Sequence, residues 1–451
     1  MTQDLLGLAT DVAGRAADGE VVEAFLTHEL NFYVKVFSGE VEALSASEPR
    51  GAGVRVFSGG RVGFSYTTDL SSEGLGAMLE AARENASFAT PDEAVGPADA
   101  SDRELPEIEG MVDPEQADVH PDRKVSFAVE LDRATAARDK RIRAVEESVY
   151  SDSDTRIAIA TSNGISGSYR RTDAWCFSLA IAEADGDTQV GFEFGLGRGL
   201  QHLDAESVGH LAADRALSVL GASKIPSARM PVVFEPFTAG QFLGVLGQAL
   251  TGEAVQKGRS LFAGRIGENV AAPALTLFDD GGLPGAPGSS PWDDEGVPTV
   301  RTEVISGGVL RSFLYDSTSA RREGRVSTGN ASRSGFKSVP APSPSNLALE
   351  STGQGPDEVL ADAGRALLVR DFHGVHSGAN PVSGDFSVGV TGLLLESGEV
   401  LQPVKEVTIA APMLEVLSNI TAVADDRRWL PFGGSYGGAT TLVSEMTVGG
   451  L

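Results

Sequence analysis

The fold class depends most on one stretch, Arg156-Ile-Ala-Ile-Ala-Thr-Ser-Asn-Gly-Ile-Ser-Gly-Ser-Tyr-Arg-Arg171. Its apolar and polar residues alternate on both sides of Asn163-Gly164, a dipeptide that strongly favours a type I′ β-hairpin. Further strands are predicted at 142–150, 174–184 and 189–194, with no helix between them. A doubly wound α/β fold needs helices regularly interleaved with its strands. The sequence therefore predicts an α+β protein.

The N-terminal segment combines helices with alternating strands. Ser58-Gly59-Gly60 separates two alternating runs, which predicts a hairpin with a glycine turn. Ser71 or Ser72 is expected to cap a helix that ends near Asn85. Residues 90–121 are rich in Pro, Asp, Glu and Ala, which indicates a linker. The other elements predicted here are a helix at 4–17 and strands at 21–30 and 32–37.

The rest of the chain divides into a middle segment and a strand-rich C-terminal segment. Helices predicted at 122–138 and 205–220 flank the strands of the middle segment. In the C-terminal segment, glycine turns such as Ser306-Gly307-Gly308 separate apolar runs, and the one long predicted helix covers 238–255. We therefore expect N-terminal and middle α+β domains followed by a strand-rich C-terminal α+β domain. Their predicted bounds are residues 1–105, 106–228 and 229–451.

Composition limits the partners and the compartment. The 36 Lys and Arg against 63 Asp and Glu give a formal net charge of −27. Nucleic acid is not an expected partner, because a phosphate backbone is bound by clustered cations. No membrane association is expected either, since no apolar run approaches the ~20 residues that span a bilayer. An N-terminus without a basic start and a single cysteine, Cys176, make a cytoplasmic protein the expectation.

Two histidines form the sharpest candidate for a metal site within the chain. His373 and His376 could share an ion, with Asp371 or Asp385 nearby. The alternative is a structural turn, because a metal site needs three or four ligands and only two are visible.

Three further motifs have a chemical and a structural interpretation. The acidic residues Asp279-Asp280 and Asp293-Asp294-Glu295 could bind a hard cation such as Ca²⁺, or could cap backbone or pair with Arg301 and Arg311. Gly433-Gly-Ser435-Tyr-Gly437 matches the nucleophile elbow G-x-S-x-G, but no histidine follows His376, so a chance match is favoured. Cys176 lies in an alternating apolar run and is expected in the core.

Several stretches of the C-terminal segment follow one another in an informative order. They are Gly258-Arg-Ser-Leu-Phe-Ala-Gly-Arg-Ile-Gly-Glu268, Gly288-Ser-Ser-Pro-Trp-Asp-Asp-Glu-Gly296, Ser327-Thr-Gly-Asn330, Asn380-Pro-Val-Ser-Gly-Asp-Phe-Ser387 and Pro403-Val-Lys-Glu-Val-Thr-Ile-Ala410. Together with Gly53-Val-Arg-Val56 and Val62-Gly-Phe64, they resemble the TldD/PmbA family, formerly labelled modulators of DNA gyrase. Several matches in one order are far more specific than a single glycine motif.

The resemblance also shows where this chain departs from the proteolytic branch. That branch, TldD, carries a helical H-E-x-x-x-H and a later cysteine, which bind a metal, while the glutamate activates water. The motif falls on Leu243, Gly244 and Gln248, and the stretch 432–438 has no cysteine. Residues 389–396 and 403–410 also look like the TldE/PmbA-type branch. The resemblance thus implies a chain of that branch, without a catalytic residue or cofactor of its own.

In that family the two branches pair into a heteromeric metalloprotease that processes small or unfolded peptides inside a chamber. The resemblance implies a TldD-type partner that carries zinc or a similar divalent metal, and a peptide substrate. This chain would shape the chamber, grip the substrate and stabilise its partner. Candidate chamber loops are 284–298 and 374–385, with Ser289, Asp294, Glu295, His376, Asn380 and Asp385.

Two other functions stay open at this point. The first is a homodimeric, metal-independent binding or scaffold protein of the same fold. The second is direct binding to DNA or gyrase, which the net charge of −27 disfavours.

Overall fold

A seven-stranded antiparallel sheet forms the first half of the protein. The computed structural model describes residues 4–100, 105–430 and 433–451. The strands are β1 Val21–Phe37, β2 Glu40–Ser47, β3 Arg50–Ser58, β4 Arg61–Thr67, β5 Ile142–Thr161, β6 Ser166–Ala184 and β7 Asp187–Gly197. Their order in the sheet is β4-β3-β1-β5-β6-β7, and β2 pairs with the C-terminal end of β1.

Four helices pack on this sheet. Ser71 caps the second of them, as predicted, by accepting a hydrogen bond from the Gly74 N–H at 3.1 Å. The predicted linker at 90–121 contains one short 3₁₀ turn, at 116–118, in its described part. The helices are α1 Leu5–Ala13, α2 Ser72–Phe88, α3 Pro121–Ala137 and α4 Ala205–Ser218.

Strands predicted as separate pieces are continuous in the structure. The prediction ended one strand at Tyr150 because polar residues follow, yet β5 runs through them to Thr161. Ion pairs make this possible, since Lys124 binds Asp152 at 2.7 Å and Arg170 binds Asp154 at 2.7 Å. A buried strand can therefore be polar where cations lie opposite its carboxylates.

The two predicted glycine turns have different outcomes. Gly59 and Gly60 both take a positive φ and join β3 to β4 in a two-residue hairpin, as expected. The type I′ prediction at Asn163-Gly164 is wrong. Of these two residues only Gly164 takes a positive φ, and Thr161 N–H bonds Ile165 O across a three-residue loop. The Asn163 amide instead donates to the carbonyl of Ala98 in the linker at 2.8 Å.

The C-terminal half contains a ring of strands. The strands of this half are β8 Ala228–Phe234, β9 Leu277–Asp280, β10 Arg301–Ser306, β11 Val309–Leu310, β12 Ala331–Ser332, β13 Ala341–Pro342, β14 Leu347–Leu349, β15 Arg365–His373, β16 Ser387–Glu396, β17 Glu399–Ala410, β18 Ile420–Val423, β19 Arg428–Trp429, β20 Tyr436–Gly438 and β21 Thr441–Gly449. Strands β17, β16, β15, β8 and β21 pair in succession, and β17 also pairs with β21, which closes the ring. A second sheet has the order β11-β10-β9-β14-β20-β19.

The predicted long helix at 238–255 is two helices. The first ends at Gly247, and Thr251 then caps the second by accepting from the Ala254 N–H at 3.2 Å. Between the two helices, the backbone of Leu314 donates to the Leu250 carbonyl and accepts from the Gly252 N–H, both at 2.9 Å, so this segment bonds to another part of the chain instead of continuing the helix. The helices are α5 Pro236–Gly247, α6 Gly252–Gln256, α7 Ser317–Arg322, α8 Pro356–Asp362, α9 Val375–Gly378 and α10 Met413–Asn419.

The fold class is confirmed, because helices and several sheets coexist without regular alternation. The first two predicted domains share one sheet, since β1 pairs with β5 from Glu23 to Val36. The division into three domains stays a prediction. Within the described residues, no helix is long and apolar enough to cross a membrane.

A buried ion network joins the first sheet to the C-terminal half. Arg55 on β3 binds Glu23 on β1 at 2.6 Å and Glu295 at 3.1 Å, and Arg333 also pairs with Glu23. The Glu23, Glu295 and Arg333 side chains are fully buried. Burial lowers the pKa of Arg55, but the two glutamates outweigh this and raise it above its ordinary value. Arg55 therefore stays charged and holds the two halves in one orientation.

Replacing Arg55 by alanine should lower the free energy of unfolding by about 3–5 kcal/mol, because the buried Glu295 loses its arginine and the buried Glu23 keeps only Arg333. The matched control is Arg143→Ala, which removes an exposed ion pair with Glu183 and should cost at most about 1 kcal/mol. Urea unfolding followed by circular dichroism measures both variants. Equal losses for the two variants would contradict the role given to the buried network.

Candidate functional site

The three motif positions on α5 have different surroundings. Leu243 is 1% exposed and belongs to the largest apolar core of the C-terminal half. Gly244, the next residue of the helix, is half-buried, and Gln248, the first residue after the helix, is exposed. The Gln248 amide donates back to the Gly244 carbonyl at 3.4 Å. None of the three side chains is an imidazole or a carboxylate.

The structure brings the C-terminal glycine-rich stretch against this helix. Tyr436 on β20 lies over α5, so that a Cβ at Gly244 would be 3.4 Å from its ring and one at Gly247 would be 3.0 Å from it. Pairing of β20 with β14, through Leu347 and Tyr436, holds the ring there. Burial, followed by the charge of Asp279, raises the pKa of the Tyr436 hydroxyl. The ring thus covers the helix face that contains Gly244.

These residues do not fit a catalytic zinc ion. Such an ion takes imidazole, thiolate or carboxylate ligands, whereas this helix offers an aliphatic side chain, a glycine and an amide. Cys176 is fully buried in the first sheet, as predicted, and burial raises the pKa of its thiol to about 12. Among the described residues, no group of three or more His, Cys, Asp or Glu side chains is placed to hold a metal.

The two acidic clusters cap backbone. Asp293 accepts three backbone N–H bonds, from Glu295, Val297 and Ala331. Asp279 accepts the Asn330 amide at 2.7 Å, and burial raises its pKa to about 7. The predicted pairing of the clusters with Arg301 is not found, because Arg301 binds Glu350. The contacts match the structural interpretation of these residues.

Most of the first predicted chamber loop is buried or half-buried, although Pro284 and Gly285 are exposed. Ser289 is fully buried and donates to the Leu283 carbonyl at 2.5 Å. Glu295 is fully buried in the ion network, and Asp294 accepts the Arg333 N–H. Burial raises the pKa of Asp294 to about 6. The Ser289 and Glu295 side chains thus join internal elements of this chain, and the assignment of this loop to a chamber stays a prediction.

The second predicted chamber loop is at the surface. His376, Asn380 and Asp385 are exposed. Asn380 accepts the Val382 N–H at 2.9 Å, and the Ser383 hydroxyl binds Asp385 at 2.6 Å, so local turns fix this loop. His373 binds the Thr391 hydroxyl at 2.9 Å. These contacts agree with the structural turn rather than with a shared ion.

The serine of the G-x-S-x-G match lacks the setting of a nucleophile. Ser435 donates to the Asn346 side chain at 2.6 Å, and strand β20 rather than a helix follows it. The chance match is the better interpretation.

Sequence reasoning missed a large cavity between β7 and strands β16 and β17. Its volume is about 840 Å³, within the usual range for ligand sites. Little in the sequence indicates this cavity, because the apolar residues of β7 are equally compatible with a strand that another part of the chain covers. Side chains that line the cavity include Val190, Phe192, Phe194, Phe237, Val390 and Val407.

Comparison with known proteins identifies the family of this chain. Family models described as domain 1, central domain and C-terminal domain of the PmbA/TldA metallopeptidases match residues 22–86, 114–220 and 227–450. The chain belongs to the PmbA/TldD family. The family resemblance predicted from the sequence is thereby confirmed.

Named relatives within the PmbA/TldD family span nearly the whole chain. Metalloprotease PmbA of Escherichia coli O157:H7 is 29% identical, over 94% of this chain and 91% of the relative. A TldD homolog of Haemophilus influenzae is 27% identical, over all of this chain and 96% of the relative.

Solved structures give the same fold. A Thermotoga maritima protein described as a modulator of a DNA gyrase superposes with a TM-score of 0.88 and 26% identity, over 96% of each chain. TldE from Thermococcus kodakarensis has a TM-score of 0.85 at 23% identity, over 95% of this chain and 97% of that one, and shows the shared fold alone.

Replacing Tyr436 by alanine should lower the free energy of unfolding by about 3–5 kcal/mol, since it leaves a cavity against Gly244 and Gly247. Tyr436→Phe keeps the ring and should cost about 1 kcal/mol or less. Tyr66→Ala is the control, because Tyr66 is 52% exposed. Denaturant unfolding measures all three, and a loss for Tyr436→Ala no larger than for Tyr66→Ala would contradict the packing described here.

Proposed function

We propose that this chain is the non-catalytic subunit of a two-protein metallopeptidase that cleaves small or unfolded peptides. Its partner is a TldD-type subunit that carries zinc or a similar divalent metal on an H-E-x-x-x-H helix. This chain completes the chamber, grips the substrate and stabilises the partner.

One observation carries the proposal, namely the Tyr436 ring against α5. A Cβ at Gly244 would already be in van der Waals contact with this ring, so a glutamate there would meet an aromatic face instead of an open coordination position. A catalytic zinc site needs three protein ligands and an open fourth position. The helix is therefore retained as a packed element, with Leu243 in the core.

The relatives support the peptidase setting. PmbA of Escherichia coli O157:H7 and the TldD homolog of Haemophilus influenzae are both named metalloproteases. A chain of this family that lacks metal-binding side chains can still contribute to cleavage by holding the substrate near a metal on another subunit. The exposed loop at 374–385, with His376, Asn380 and Asp385, is the surface we assign to the chamber.

The test is reconstitution of peptidase activity from purified subunits. This chain alone should not cleave a labelled unfolded casein, and a TldD-type subunit with H-E-x-x-x-H should cleave it faster when this chain is added. Cleavage by the mixture should stop on removal of the metal, because the metal generates the attacking hydroxide.

The control is a partner in which the glutamate of H-E-x-x-x-H is replaced by glutamine, which should be inactive with this chain intact. Chelator-sensitive cleavage by this chain alone would contradict the proposal. So would native mass spectrometry that finds only a homodimer of this chain when the partner is present.

A further inference from the structure

Strand β2 has a free edge. All eight of its residues, Glu40 to Ser47, are exposed, whereas every other strand of the first sheet contains buried residues. Among the described residues, β2 pairs with β1 alone, so the backbone N–H and C=O groups on its outer side face no other strand. Such an edge is a template for one more strand.

Most of β2 lacks the features that usually protect a free edge. Natural proteins block such edges with lysine, proline, a bulge or a covering helix. The register of the β1–β2 pair is irregular at Glu42, but residues 43–47 pair regularly with residues 31–35 of β1. This regular stretch is Ala-Leu-Ser-Ala-Ser, which has no charge and no proline, and all of it is exposed. It is therefore open to pairing with a further strand.

Apolar side chains lie along the same edge. Leu44 is directly opposite Val34, and Val41 is opposite Val36, and both valines belong to the buried core beneath α3. Opposite residues of two paired strands point to the same face of a sheet. Leu30, four residues before Val34 on β1, also points to this face. Leu30, Val41 and Leu44 are nevertheless exposed, so they form an apolar strip that continues the core to the edge of the sheet.

Relatives of this chain share the domain that contains β2. The family model for domain 1 covers residues 22–86, and the TldD homolog of Haemophilus influenzae matches all of this chain. A TldD-type subunit would therefore present an equivalent edge. Two equivalent edges can pair as antiparallel strands about a two-fold axis, because such a contact is self-complementary. The apolar strips of the two subunits would then lie on the same face of one continuous sheet.

Two other occupants fit this edge less well. A flexible peptide could satisfy the same backbone groups, but it would lose conformational freedom on binding, whereas a folded subunit presents a strand that is already formed. A second copy of this chain would bring its own net charge of −27, and such self-repulsion opposes association.

We propose that the outer edge of β2 is a docking surface for the TldD-type subunit, whose equivalent strand pairs with β2 and covers Leu30, Val41 and Leu44. This inference rests on the proposed function and locates one part of the contact between the two subunits. A standard interface takes about 20–30 residues from each partner, so β2 and the apolar strip are only a part of it. A change at this edge should therefore weaken the complex without preventing it.

The experiment is thiol labelling of the full-length Leu44→Cys variant, with and without the purified TldD-type subunit. Cys176 is the only cysteine of the natural chain and is fully buried, so the introduced cysteine is the accessible thiol. N-ethylmaleimide should modify it at least about tenfold more slowly when the partner is bound, because a paired edge excludes the reagent. Mass spectrometry of this chain measures the modification.

The control is Val400→Cys on β17. Val400 is 57% exposed against 54% for Leu44, but it lies in the C-terminal half of the chain. Its rate of labelling should change by less than about twofold on addition of the partner, as expected of a residue outside the interface.

A second pair of variants measures the strength of the contact. Leu44→Lys places on the edge the residue that natural proteins use against pairing, and should weaken binding to the immobilised partner at least about tenfold. Val400→Lys makes the same change of charge and should bind as the wild-type chain does. Both positions are exposed, so both variants should keep the urea midpoint of the wild-type chain.

Several results would overturn the inference. They are equal labelling of Leu44→Cys with and without the partner, equal binding by Leu44→Lys and Val400→Lys, and protection of Leu44→Cys by a second copy or by unfolded casein instead of the partner. A partner that binds this chain but leaves position 44 accessible would refute only this inference. A partner that does not bind this chain at all would refute the proposed function as well.

Discussion

The orientation of the two halves depends on four buried charges. Arg55 of the first sheet and Arg333 of the C-terminal half both bind Glu23, and Arg55 also binds Glu295 of the C-terminal half. Removing one charge from such a network leaves its partners unsatisfied in a medium of low dielectric. Everything that lies between the halves, including the cavity beside β7, depends on this contact.

The close contact between the two halves also explains why residue 53 is a glycine. Gly53 lies next to the backbone of Phe336, so that a Cβ would be 2.3 Å from the Phe336 carbonyl oxygen. Only a residue without a side chain lets β3 approach the C-terminal half so closely. The stretch Gly53-Val-Arg-Val56, which resembles the family, therefore contains both the glycine and the arginine of the junction.

Much of the architecture could be predicted from local patterns, because helix caps, glycine turns and alternating strands depend on residues that are neighbours in the sequence. Ser71 and the Gly59-Gly60 turn are examples. What depends on distant partners could not be predicted. The continuity of β5 requires Lys124 and Arg170 opposite its carboxylates, and the break after α5 requires the backbone of Leu314 beside residues 250 and 252.

The candidate site also has features that sequence patterns can suggest and features that only the folded structure shows. The proposal that Leu243, Gly244 and Gln248 replace metal ligands comes from comparison of motifs alone. That Tyr436 covers the helix, and that Glu295 is an internal ion partner, required the fold. The cavity beside β7 was not predicted, because it exists only where two distant segments meet.

The most direct test of the central claim is the metal content of the separated subunits. Inductively coupled plasma mass spectrometry on each chain, purified from an active complex, should find about one divalent ion on the H-E-x-x-x-H subunit, as one catalytic site requires. This chain should hold none after dialysis. A stoichiometric transition metal that stays on this chain, and whose loss abolishes cleavage, would contradict the account.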